Sequence, residues 1–158
     1  MHRALALHIL VALALLSGCS AREGASDWVG RAETANEEAD RRLAAGDTDG
    51  ARDALKQAIE ADVPGGAKPV DARAVRQDLY YRLATLELGK TRAREAAEWA
   101  TRGLDLGRGK DVFTSNLLIV RGKALEQQGD SRGASRDYHD ALLVTEALLD
   151  VSLQGGSP

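Results

Sequence analysis

Between Leu118 and Leu143, apolar and polar positions alternate with the period of an α-helix, in two runs separated by Gly129-Asp130-Ser131. The second run sets Ala134, Tyr138, Ala141 and Leu142 on one helical face, and the first sets Leu118, Gly122 and Leu125 on a matching one. Small residues (Gly122, Ala134, Ala141) alternate with large ones (Leu118, Leu125, Tyr138). Small positions admit a close approach of two backbones, and large ones fill the space beside the contact. The pattern predicts a tightly packed antiparallel helix pair.

Caps and breakers place the remaining elements. Ser26, followed by Asp27, is expected to cap a first helix reaching about Ala45, and Gly46 to end it. Asp47 or Thr48 opens a second helix to about Asp62. The stretch Val63–Pro69, with its prolines and paired glycines, reads as the longest break. Asp71 is expected to cap a third helix to Leu88, turning Val75, Leu79, Leu83 and Leu86 inward. Thr91 opens a fourth helix to near Leu106, and Asp111 a fifth to Gln128. A sixth starts at Ser131 and runs to about Leu149 or Val151. The helical domain is thus expected over 27–153, with a disordered tail over 154–158.

The spacing of the last pair recurs upstream. Ala51, Leu55 and Ala58 follow Gly46-Asp47-Thr48 at the same offsets at which Ala134, Tyr138 and Ala141 follow Gly129. In the middle of the chain, Ala96, Ala100, Gly103 and Leu104 follow Leu83, Ala84 and Leu88, across a turn Gly89-Lys90-Thr91-Arg92 that reads as longer. A helix, a Gly-Asp turn and a second helix with small-large-small spacing resembles the tetratricopeptide repeat. The resemblance implies an all-α fold in which about three antiparallel helix pairs, six helices in all, stack as a short solenoid. The break at Val63–Pro69 lengthens the spacing between the first two pairs and makes that superhelix irregular.

The first residues differ in kind. Arg3 and the amino terminus are positive, Ala4 to Leu16 is apolar apart from His8, and Leu16-Ser17-Gly18-Cys19 follows. An apolar run this short suits the core of a signal peptide and not a bilayer span, which takes about 20 residues. The ending resembles a bacterial lipobox, which implies removal of residues 1–18 and acylation of Cys19. Residues 19–26 then form the lipidated cysteine and a small, polar tether. Ser20 stands where Asp would retain a lipoprotein at the inner membrane in the better-known sorting pathway. The resemblance therefore implies a protein anchored on the periplasmic side, at the outer rather than the inner membrane.

Composition changes the picture mainly by exclusion. Removal of Arg3 with the signal takes the formal charge from −3 to −4. Acids and bases are interspersed without a basic block, which argues against nucleic acid as a partner. Abundant Ala, Leu, Arg and Glu with little Ile or Val agrees with an all-α chain. Cys19 is the sole cysteine. Once acylated it leaves no thiol for a disulfide, a metal or a nucleophile.

Candidate chemistry is sparse. His139 is the one histidine beyond the signal, next to Tyr138 and Asp140 and without an evident serine partner. The carboxylates Glu37, Glu38, Asp40, Glu95 and Glu98 have arginines at helical spacing and read as surface pairs. Neither a metal-ligand set nor a phosphate loop after a strand is present in the sequence. The reading is therefore of a protein without catalytic, metal or cofactor site.

Binding is the expectation that remains. The repeat resemblance implies a concave surface made by the first helix of each pair, which would present Asn36 and Asp40, then Asp78, Tyr81 and Thr85, then Asn116, Ile119 and Lys123. Tyr81 is the most interface-like of these, offering apolar area with a polar tip. The Lys/Asn clamp that some relatives use for a terminal carboxylate is not reproduced. A second surface lies on the last helix, where Leu148 and Leu149, with Leu142, Leu143, Val151 and Leu153, exceed what one packed face needs. Stacked repeats end in a polar cap. The extension either folds back as its own cap or docks on another protein or a second copy. Trp28 either rests at the membrane interface or packs on the first pair. The expected function is a lipid-anchored adaptor for an envelope protein or peptide. A small inhibitor or immunity-type lipoprotein, a structural homo-oligomer and, behind these, an enzyme are the alternatives.

Overall fold

The polar–apolar periodicity resolves into helices joined by short turns, without strands among the described residues. The computed structural model describes residues 24–155. The signal segment, Cys19 and the final residues 156–158 lie outside them. Helix α1 covers 24–44, α2 Thr48–Glu60, α3 Pro69–Gly89, α4 Ala93–Asp105, α5 Val112–Gln127 and α6 Ser131–Gly155. Successive helices pack side by side as antiparallel pairs in a solenoid-like stack, with α4 against α3, α5 against α4 and α3, and α6 against α5.

All three turns within pairs have one geometry. The amide of Gly46 donates to the carbonyl of Leu43, and that of Asp47 to Arg42. The equivalent bonds are Thr91 to Leu88 with Arg92 to Glu87, and Gly129 to Glu126 with Asp130 to Leu125. Gly46 and Gly129 take positive φ angles of 80° and 82°. In the middle turn Thr91 takes that role, at φ 59°. Measured from Thr91, Ala96, Ala100 and Gly103 fall at the same offsets as the small-large-small sets of the other two pairs. The middle turn is therefore not longer, as the sequence suggested. Thr91 forms the turn and does not open α4, whose N-cap is Arg92.

Other boundaries also moved. Asp47 and Asp111 cap α2 and α5, accepting from the amides of Gly50 (2.9 Å) and Thr114 (2.8 Å). Helix α3 begins at Pro69 with Lys68 at the N-cap, so Asp71 sits in its first turn and is not the cap. Proline is at home there because the first helical amide has no acceptor to lose. Helix α1 already includes residues 24–26, which places Ser26 inside it and not at a cap. Helix α6 continues past Val151 to Gly155.

Two apolar clusters run through the stack. The first joins Ala39, Leu55, Leu79 and Leu83, and the second Ala84, Leu104, Leu117 and Leu118. Leu79, Leu83 and Leu86 point inward as expected, and Val75 packs at the margin of the first cluster. Close approach depends on glycine at two places. A Cβ on Gly103 would lie 2.8 Å from the Leu117 methyls, and one on Gly122 would lie 2.6 Å from Cε1 of Tyr138. Buried ion pairs tie elements together. Glu87 on α3 receives Nε of Arg52 from α2 (2.5 Å) and Nε of Arg92 ahead of α4. Arg121 on α5 holds Asp137 on α6 through two bonds of 2.7 and 2.6 Å.

The stack has two distinct ends. One carries the pair turns 45–47, 90–92 and 128–130. The other carries residue 24, the connections 61–68 and 106–111, and the end of α6. A Cβ on Gly24 would lie 3.8 Å from that of Pro64, and Arg73 near the start of α3 pairs with Asp111 ahead of α5 (2.9 Å).

Candidate binding groove

Helices α1 and α3 run in parallel, and a polar ladder sets their register. Asn36 Nδ2 donates to Asp78 Oδ2 (3.1 Å), while Arg82 lies 3.4 Å from both Asp78 and Asp40. The Arg82 contacts are long and partly solvated, so they orient side chains more than they stabilise the fold. The Oδ1 of Asn36 is buried without a hydrogen-bond partner among the described residues.

Below this ladder, towards the pair turns, the helices part to leave a groove of about 520 Å³. Ala39, Leu43, Leu55 and Leu86 form its apolar floor and walls; Asp40, Asp78, Tyr81, Arg82, Thr85 and Lys90 border it. Tyr81 is half-buried: one part of its ring packs on the second core cluster and the rest faces the groove. The same ring thus packs on the core and lines the groove. Above the ladder a smaller hollow of about 180 Å³ continues the surface, between Val29, Asn36, Val75, Asp78 and Phe113.

Four of the residues expected on the concave surface, Asp40, Asp78, Tyr81 and Thr85, thus meet in one groove, and Asn36 joins them through Asp78. Asn116, Ile119 and Lys123 lie on α5 away from it. Ile119 packs on the second core cluster, Asn116 is half-buried and Lys123 is exposed. The apolar lining was not recognised in the sequence. Its signal was Leu43, an isolated leucine in the last turn of α1 between arginines and alanines, which remains 40% exposed in the fold.

A second groove of about 380 Å³ opens between α1 and α2, lined by Trp28, Ala32, Ala35, Ala54, Ala58 and Ala61. Trp28 is 2% exposed, so it packs into the first pair and is not a membrane-interface residue. Glu38 at the rim accepts from Arg41 (2.7 Å) and Arg42 (2.5 Å), and these bonds hold its carboxyl below the usual range.

On α6 the sequence left self-capping and docking open. The extension does not fold back: α6 is one helix to Gly155, with Leu142, Leu143, Leu149, Val151 and Leu153 half or more exposed and Leu148 half-buried. His139 is exposed and makes no hydrogen bond among the described residues. Nor do three His, Cys, Asp or Glu side chains converge there in a metal-sized cluster. No helix of the described residues is long and apolar enough to cross a membrane.

No protein-family model and no curated protein matches the chain. Among solved structures, the globular C-terminal domain of P. aeruginosa LpoP is similar, with a TM-score of 0.57 at 27% identity. The alignment covers 71% of this chain and 95% of that domain. The likeness therefore takes in nearly all of a globular domain, matched by most of the helical stack described above.

Proposed function

We propose that this chain is a lipid-anchored adaptor of the bacterial envelope that binds a segment of another protein in the α1–α3 groove. Its helix pairs act as a short tetratricopeptide-like scaffold, held by Cys19 on the periplasmic side of the outer membrane. The observation that carries the reading is the groove itself. An apolar floor with a few convergent polar groups at its border is the usual form of a recognition site. Asp40, Arg82 and Lys90 can fix the direction of a bound segment, while Leu43, Leu55 and Tyr81 take up an apolar side chain. The similarity to the LpoP domain supports a helical unit of this size as a self-standing module. The chain has no catalytic role in this reading.

A photo-reactive residue at position 43, with a second at Lys123 on α5 as control, tests the proposal in intact cells. The same partner captured at 43, lost on Tyr81→Ala and absent at 123, is the expected result. Equal capture at both positions, or none at 43, would overturn the groove as the partner site.

A further inference from the structure

We infer that the end of the stack formed by the start of α3, the start of α5 and the overhang of α6 rests on the lipid surface. This inference rests on the lipid anchor at Cys19. The large apolar side chains left exposed are unevenly distributed. Val70, Leu106, Val112, Leu149, Val151 and Leu153 all belong to the end that carries residue 24, and they are 38–76% exposed. Of the other exposed apolar side chains among the described residues, Leu142 and Leu143 lie midway along the stack on α6, and Leu43 lies at the opposite end, where it borders the groove.

The overhang is built by register. Ser115 Oγ and Thr145 Oγ1 lie 3.2 Å apart, and Tyr138 packs over Gly122, so in the antiparallel α5–α6 pair Leu148 is level with Val112. Beyond that level α5 has ended, and among α2–α5 only α5 packs closely on α6. Leu149 and Leu153, four residues apart, share one side of the overhang. Val151, two residues from each, points to the other. A groove on a protein would cover one side. An apolar medium entered end-on covers both.

The anchor selects the medium. Five residue steps separate Cys19 from Gly24, a reach of at most roughly 17 Å. An acylated Cys19 therefore keeps the bilayer close to the end of the stack that bears these side chains. Lys68 and Lys110 are exposed in the connections at this end beside the exposed carboxylates Asp62, Asp71 and Asp105, so the apolar side chains and not net charge carry the contact. Asp150, exposed between Leu149 and Val151, confines the overhang to a shallow seat at the boundary of headgroups and acyl chains. Seated this way, the helices stand along the membrane normal, and the α1–α3 groove opens sideways at a fixed height.

The test uses residues 19–158, which keep both core clusters, coupled through Cys19 to a maleimide lipid. It is carried in nanodiscs of phosphatidylethanolamine and phosphatidylglycerol doped with a headgroup nitroxide. Amide signals of residues 108–112 and 149–155 should be lost, while those of 43–47 and 128–131 persist. Leu149→Ser with Leu153→Ser, both at exposed positions, should restore the signals at 149–155. Loss confined to residues 24–30, or shifts at 149–155 that depend on protein concentration without nanodiscs, would overturn the inference, the latter by pointing to a second copy. Chemical coupling makes this outcome independent of cellular acylation. The mass of Cys19 in protein purified from membranes reports separately on the anchor.

Discussion

Gly122 on α5 lies directly beneath the ring of Tyr138 on α6, so close that a Cβ there would stand 2.6 Å from Cε1. The pair is the small-large contact that defines the last helix hairpin. The Tyr138 hydroxyl closes it by donating to Glu126 Oε2 (2.9 Å). Gly122→Ala gains about 1 kcal/mol of helix propensity. Moving the ring costs about 1–3 kcal/mol, so the net effect should be a loss of stability of up to about 2 kcal/mol. Combining it with Tyr138→Leu should cost less than the two single changes added together. Urea unfolding of the four proteins checks this, and simple additivity would show that the contact is not tight.

Thr91 pays for a turn that glycine makes elsewhere in the chain. A β-branched residue at φ 59° is strained, by about 1–2 kcal/mol relative to a right-handed conformation. Thr91→Gly should raise stability by about 1 kcal/mol, and Gly129→Ala, at φ 82°, should lower it by a similar amount. Midpoints of chemical denaturation read both. A destabilised Thr91→Gly would mean that the threonine hydroxyl, which donates to the Lys90 carbonyl, matters more than the backbone.

Two ion pairs of the same chemistry should differ sharply in worth. Asp137 is 4% exposed and bound through two bonds by Arg121, whereas Arg94 and Glu98 stand 4.0 Å apart in solvent. Arg121→Ala leaves a buried carboxylate without its cation and should cost about 3 kcal/mol. Arg94→Ala should cost under about 0.5 kcal/mol. Thermal or urea unfolding separates the two, and comparable losses would contradict the burial argument.

Burial, and then the bond to Glu126, push the Tyr138 hydroxyl above its ordinary value of 10.0. A group whose folded pKa is raised contributes stability that is complete below its unfolded pKa and lost as pH rises through the folded one. The contribution of Tyr138 should therefore hold through neutral pH and vanish only in strong alkali. The difference in tyrosinate absorbance between wild type and Tyr138→Phe should titrate later than free tyrosine. A difference titrating with free tyrosine would show that the hydroxyl is solvated.

The helical content, the Gly-Asp turns at 46 and 129, the caps at Asp47 and Asp111 and the inward leucines of α3 were legible because each is a local matter. Periodicity, caps and glycine φ angles act within a few residues. The middle turn misled for a physical reason. Gly89 invited the turn, but the chain placed its left-handed residue at Thr91, where packing of Ala96, Ala100 and Gly103 against neighbouring helices outweighed local strain. In the candidate site, the resemblance pointed to Asp40, Asp78, Tyr81 and Thr85. It did not reveal Leu55 or Leu86, because nothing local distinguishes these leucines from ones that only fill a core; Leu43, isolated among arginines and alanines, was the one local sign.

The sequence by itself determined the class of the molecule: helices of given lengths, where they stop, and which stripe of each is apolar. Only the tertiary structure decided which apolar stripes found partners. The register of Asn36 against Asp78 and Asp40 against Arg82 opened the groove between α1 and α3. The register of Ser115 against Thr145 carried the end of α6 past α5 and left its leucines bare. Helix formation depends on neighbours along the chain. Exposure depends on how two finished helices slide past each other, and that is set by long-range contacts between side chains far apart in sequence.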